Sequence, residues 1–157
     1  MKLERYFDRF HLVGKLSDAG LLYYPVAIAS AIRVGYAVGL TSGYAAEITT
    51  TQAVQFCGIA ATAVTAAEAV ANGTMDIGVI PPYMFHRFAV PVEATDLITL
   101  AQVGDIYDLQ SANTLDENDA ITLGFGFRVT AIDVSTEAVA VNTYGFAIGH
   151  FEYVAAS

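Results

Sequence analysis

Three glycines at four-residue spacing, Gly35, Gly39 and Gly43 in "RVGYAVGLTSGYAAEI", are the first residues whose type and spacing could do chemistry. Converging backbone N–H groups cradle a phosphate when a strand leads into the glycines and a helix leads out of them. The context here is different. Val34, Tyr36, Val38 and Leu40 alternate with Gly35, Ala37, Gly39 and Thr41, which is the period of a strand. Thr41-Ser42-Gly43 then reads as a turn with Gly43 free to take positive φ, and Ala45 to Ile48 begins a returning strand. No Lys-Ser or Lys-Thr follows Gly43, so the segment predicts a hairpin and not a nucleotide loop.

The other reactive side chains are scattered. His11, His86 and His150 share no metal-ligand spacing, and packing roles are expected for them. Cys57 is the single cysteine, which leaves no intrachain disulfide and no thiolate zinc cluster; between Phe56 and Gly58 it reads as a small buried strand residue. The six serines form no Gly-x-Ser-x-Gly elbow. Asp116, Glu117 and Asp119 resemble half of a calcium loop without its central glycine, terminal glutamate or flanking helices, and "SANTLDEND" (111–119) reads first as a solvated polar loop. Two distant carboxylates could still meet for glycoside hydrolysis; Trp is absent, and Tyr would have to supply the sugar-stacking platform. The expectation is a chain with no catalytic residues, no metal and no cofactor.

The elements that position these residues read as strands. "AVQFCGIAATAV" (53–64), "TMDIGVI" (74–80), "YMFHRFAV" (83–90), "VGDIYDLQ" (103–110), "AITLGFGFRVTAIDV" (120–134) and one or two strands within 137–154 follow one another, with Pro81-Pro82 ending one strand and Asn142-Thr143 a possible turn. "TAAEAV" (65–70) suits a single helical turn. Short strands at roughly ten-residue spacing indicate an all-β fold, a small β-barrel or sandwich-like domain. "FCGIAATAVTAAEAVANGTMDIGVI" and "FRVTAIDVSTEAVAVNTYGFAIGHF" look alike, suggesting two equivalent strand-turn-strand units. Leu3, Tyr6, Phe7, Phe10 and Val13 recur at helical spacing, so residues 3–13 are expected as a short amphipathic helix or as an arm that orders against a partner. The division expected is an N-terminal docking segment over 1–29 and a β domain over 30–157.

Composition narrows the partners. At 157 residues, 55% hydrophobic and 15% charged, the chain has either a large alanine-rich core or a surface that partners cover. Residues 1–16 carry Lys2, Arg5, Arg9 and Lys15 against Glu4 and Asp8, net +2; the rest sets Arg33, Arg87 and Arg128 against fourteen acids, net −11. Such a body repels nucleic acid. The start has no signal-peptide pattern, so the chain is expected to stay where it is made. Pro25 and Arg33 interrupt the apolar run 20–40, which argues against a membrane span.

"GYAVGLTSGYAAEITTTQAVQFCGIAATAV", "NGTMDIGVI", "VGDIYDL" and "NTYGFAIGHFE" together resemble capsid decoration (cement) proteins of tailed phages, over roughly residues 30–152. Gly35 to Gly43, Phe56 to Ala60 and Gly104-Asp105 stand where the family's glycine-rich hairpin, "F-x-G-I-A" segment and Gly-Asp strand would put them. The resemblance implies a β-barrel-like virion protein made in the host cytoplasm. It would bind the outer capsid surface and bridge major capsid protein subunits as a homo-oligomer, trimer ahead of dimer. It carries over no catalytic residue. The partner-binding residues expected from surface charge and hydrophobicity are Arg5, Phe7, Arg9 and Phe10, with Leu21, Leu22, Tyr23, Tyr24 and Val26; the latter five could equally form a first core strand. A different class, a ligand- or carbohydrate-binding barrel, would use Tyr83, Phe85, His86 and Phe88 around a pocket. A tail or fibre component would share the assembly logic with another partner.

Overall fold

The computed structural model describes residues 8–17, 20–52 and 55–155. They form two antiparallel sheets with one short helix, the all-β architecture expected. The strands are β1 (His11–Val13), β2 (Leu22–Pro25), β3 (Ala37–Thr41), β4 (Tyr44–Glu47), β5 (Gln55–Ala60), β6 (Asp76–Ile80), β7 (Arg87–Pro91), β8 (Ile106–Ser111), β9 (Thr114–Ala120), β10 (Gly124–Asp133) and β11 (Phe146–Val154), with helix α1 (Thr136–Val141) between the last two. One sheet runs β2-β6-β5-β3-β4 and the other β1-β7-β11-β10-β8-β9.

Without β1, the two orders are the same. β2 to β6 of the first half correspond one by one to β7 to β11 of the second, so the chain is a tandem structural repeat. Individual bonds repeat as well. Gly35 N–H donates to Ala60 and Gly104 N–H to Val129, both at 2.8 Å; Val26 N–H donates to Met75 and Val92 N–H to Gly145. Val26 bridges Ala45 in parallel, and Val92 bridges Leu115 likewise, so each sheet curls until its third strand meets the chain leaving its first. The cores repeat too: Val26, Ile32, Val38, Ala45, Ala60 and Ile77 pack in one cluster, and their counterparts Val92, Ile98, Tyr107, Leu115, Val129 and Ala147 in another. The two look-alike stretches in the sequence are therefore parts of a larger unit, as β5 with β6 and β10 with β11 pair antiparallel at matching positions.

The hairpin read at 34–48 is present as β3 and β4, turning through Ser42 and Gly43 at φ 52° and 84°. Of the two forms expected for residues 3–13, helix or arm, the described residues 8–13 take the extended one, a turn followed by β1 packed within the chain, because Phe10 is drawn into the core between Phe88, Phe127 and Phe151; residues 3–7 lie outside the described residues. Two expectations are corrected. The polar stretch 111–119 is mostly β9, an edge strand that turns Leu115 and Glu117 inward and leaves Asn118 and Asp119 outside. Thr136–Val141 is a helical turn and a half, started by the Ser135 hydroxyl accepting from Ala138 N–H and seated by the fully buried Ala138. Residues 8–29, expected within a docking segment, supply an edge strand to each sheet.

Candidate functional surface

The expected partner-binding residues separate into buried and exposed groups. Arg5 and Phe7 lie outside the described residues. Phe10 and Val26 are fully buried in the two cores, and Leu21 and Tyr24 are half-buried. Leu22 and Tyr23 are the exposed members, at 37% and 64%. Arg9 holds its neighbour Asp8 through two bonds of 2.7 and 3.0 Å and reaches the Val34 carbonyl. The guanidinium keeps the Asp8 carboxyl below its ordinary range, and the carboxylate raises Arg9. So exposed a pair adds little stability; what it does is shape the surface.

That surface is an open hollow of about 360 Å³ lined by Asp8, Arg9, Arg33, Val34, Tyr36 and Ala63. Arg33 grips Glu47 with both guanidinium arms and lies 3.8 Å over the Tyr36 ring, so two of the chain's seven cations are already neutralised at its rim. Gly35 lets the N-terminal segment lie there: a Cβ at this position would stand 2.8 Å from the Phe10 carbonyl and 2.5 Å from Arg9 Cδ.

The aromatic segment divides in the same way. Tyr83, Met84 and Phe85 are exposed, whereas His86 and Phe88 are buried, so the four residues expected to line a ligand pocket face different environments. His86 is occupied: its Nε2 accepts from Ser17 N–H, which leaves Nδ1–H to donate to the Pro81 carbonyl. Cys57 is buried and its thiol is pushed up to about 11 by desolvation, so it stays protonated near neutral pH. Buried Asp108 is a structural anchor, accepting from Thr50 and Thr51 hydroxyls and from Thr51 and Leu109 N–H groups. Glu117 accepts from Thr95 and Asp96 N–H groups through one oxygen while the other has no partner among the described residues. Its counterpart in the first repeat is Glu47, and both tie the loop after the first strand of their repeat to its third. Among the described residues no three His, Cys, Asp or Glu side chains are grouped to hold a metal ion.

On β10 and β11, Arg128 clasps Glu152 at 2.6 and 2.8 Å, with His150 3.1 Å from the same carboxylate. Arg128, and His150 after it, hold the Glu152 carboxyl down to about 2 from 4.5. A lowered folded-state value means the pair stabilises fully above the unfolded value and is lost as pH falls through about 4.5 toward 2. With both side chains partly solvated, the wild type is expected to lose about 1 kcal/mol more than Glu152→Gln over that window, read from urea midpoints.

Comparison with protein-family models, curated proteins and solved structures returns no match. Functional assignment therefore rests on the residues. Their main asymmetry is between the repeats. Residues 20–86 hold Arg33 against Glu47, Glu68 and Asp76, net −2, while 87–155 hold Arg87 and Arg128 against ten acids, net −8. Sequence reasoning missed this because the halves look equivalent only once the strand orders are compared; the charge contrast itself was available in the sequence.

Proposed function

We propose that the chain is a capsid decoration protein that sits on the outer surface of a phage head and bridges major capsid subunits. The observation that carries the reading is the pairing of two like-folded repeats of unlike charge, one nearly neutral and the other strongly acidic, each exposing apolar side chains such as Tyr23 and Phe85 in the first and Leu100 and Tyr153 in the second. A clamp needs one side that loses little by desolvation when it docks and another that stays hydrated and repels its neighbours. The resemblance of residues 30–152 to decoration proteins supports the same assignment. Packaged DNA pushes a shell outward, and a protein spanning a subunit boundary opposes separation by the contact area that separation would expose. Many copies on a fixed lattice act together, so each contact can be modest.

Co-sedimentation with expanded, undecorated heads tests the proposal. Saturable binding with a raised bursting temperature is expected. Failure to bind any head from a host carrying this gene would overturn it.

A further inference from the structure

The two repeats treat the same sheet edge differently. In the second, β1 covers the outer side of β7, with His11 opposite Ala89, Leu12 opposite Phe88 and Val13 opposite Arg87. Pro25 and Pro91 each precede the bridging valine of their repeat, which makes Leu21, Leu22 and Tyr23 the counterparts of Arg87, Phe88 and Ala89. Among the described residues no strand pairs with the outer side of these three. The far end of the edge is closed in both repeats, by Ala27 N–H donating to Ala45 and Glu93 N–H to Leu115. Among the described residues, what stays open in the first repeat is a three-residue window, the length that β1 fills in the second.

The register shows what the window offers. Val26 N–H bonds inward to Met75, in line with Tyr24 opposite Ile77 and Leu22 opposite Val79, so the alternate residues Leu21 and Tyr23 turn their N–H and C=O groups outward. Leu22 and Tyr23 are exposed beside them. No acidic residue occurs between 20 and 46. In a chain of net charge −9, β2 itself brings no carboxylate to a second copy, and on the strand beside it Asp76 stands opposite Pro25, three residues along from Leu22.

We infer that β2 pairs with β2 of a second copy, antiparallel about a two-fold axis. Leu22 faces Leu22 of the other copy on the axis, and Leu21 and Tyr23 exchange backbone bonds with Tyr23 and Leu21. This reproduces between molecules the pairing β1 makes with β7 within one, and the isologous contact closes on itself as a dimer. It gives a dimer, the second of the two states that the family resemblance implies after a trimer, and it does not depend on the decoration reading.

Sedimentation velocity of the full chain over a range of concentrations tests it. The wild type is expected to show a concentration-dependent monomer–dimer equilibrium. Leu22→Lys sets two ammonium groups facing across the axis and should weaken the dimer by at least about tenfold while leaving the melting temperature of the monomer nearly unchanged. Leu22→Cys should oxidise to a covalent dimer, because a pair on the axis of a non-hydrogen-bonded site has its Cα atoms about 4.5 Å apart, within disulfide reach. Buried Cys57 does not compete. A wild type that stays monomeric with Leu22→Cys unlinked, or an oligomer that Leu22→Lys leaves intact, would overturn the inference. So would a monomer whose head binding alone is lost in Leu22→Lys, an outcome that would assign the edge to a strand of the shell.

Discussion

Phe151→Ala is expected to lower the free energy of unfolding by about 3 to 5 kcal/mol, read as a fall in the urea midpoint at unchanged slope. The ring is fully buried, and its centroid lies 4.7 to 5.7 Å from those of Phe10, Phe56, Phe88 and Phe127. These four come from the N-terminal segment, β5, β7 and β10, so the contact set joins both repeats and the N-terminal segment. Truncation removes the transfer energy of a large side chain and leaves a void among rings whose own backbones are fixed by two sheets, which limits collapse. Phe85→Ala is the comparison. It removes a ring that is 63% exposed and should change stability by less than about 1 kcal/mol, so a similar cost in both variants would mean the aromatic cluster is not the link between the halves.

That cluster also shows where sequence reading succeeded and where it stopped. The β3–β4 hairpin and β10 were legible because alternation and a Thr-Ser-Gly turn are local signals. Phe10 was not legible as core. Its spacing from Leu3, Tyr6 and Phe7 fits a helix, and only the distant rings on β7, β10 and β11 pull the segment into extended form. The four polar residues 116–119 in β9 hid an edge strand, since an edge needs apolar residues on one face only and Glu117 takes an inward position through backbone N–H partners supplied by residues 95 and 96. Helix α1 was hidden because Val139 and Val141 have modest helix propensity; a serine cap and a buried alanine decide it instead. Of the expected partner-binding residues, hydrophobicity alone could not separate Tyr23 from Val26, three positions apart, because the difference lies in which side of β2 is covered by the curling sheet. The repeat was visible in sequence only over β5–β6 and β10–β11, where similar residues flank similar turns. Elsewhere some equivalent core positions keep their residue, as Val26 and Val92 or Ile32 and Ile98 do, while others change, as Val38 and Tyr107 or Ala45 and Leu115 do, so the hydrogen-bond pattern marks the duplication where no continuous run of residues does.

The repeats differ in backbone at Gly58, and Gly58→Ala is expected to cost about 3 kcal/mol or more. Its counterpart by strand pairing is Phe127, since Gly58 stands opposite Val38 as Phe127 stands opposite Tyr107. In the first repeat the β3–β5 ladder slips between Val38 and Gly39, with Cys57 as the extra residue, and Gly58 takes φ +129°. A Cβ built there would lie 2.0 Å from the Ile80 carbonyl oxygen, which is backbone of the paired strand and cannot rotate away. Two penalties therefore add: a conformation that L side chains rarely adopt, and a clash relieved only by parting β5 from β6. Gly43→Ala separates them. Gly43 also has positive φ, at +84°, but nothing lies within 4 Å of its added Cβ, so that variant should lose about 1 kcal/mol from conformation alone. Amide exchange distinguishes the causes further: in Gly58→Ala the amides of β6 should lose protection ahead of those in the second repeat, whereas in Gly43→Ala any local loss stays near the β3–β4 turn. Equal costs for the two alanines would mean that the bulge relaxes freely and that the close approach of Ile80 is not what fixes a glycine at 58.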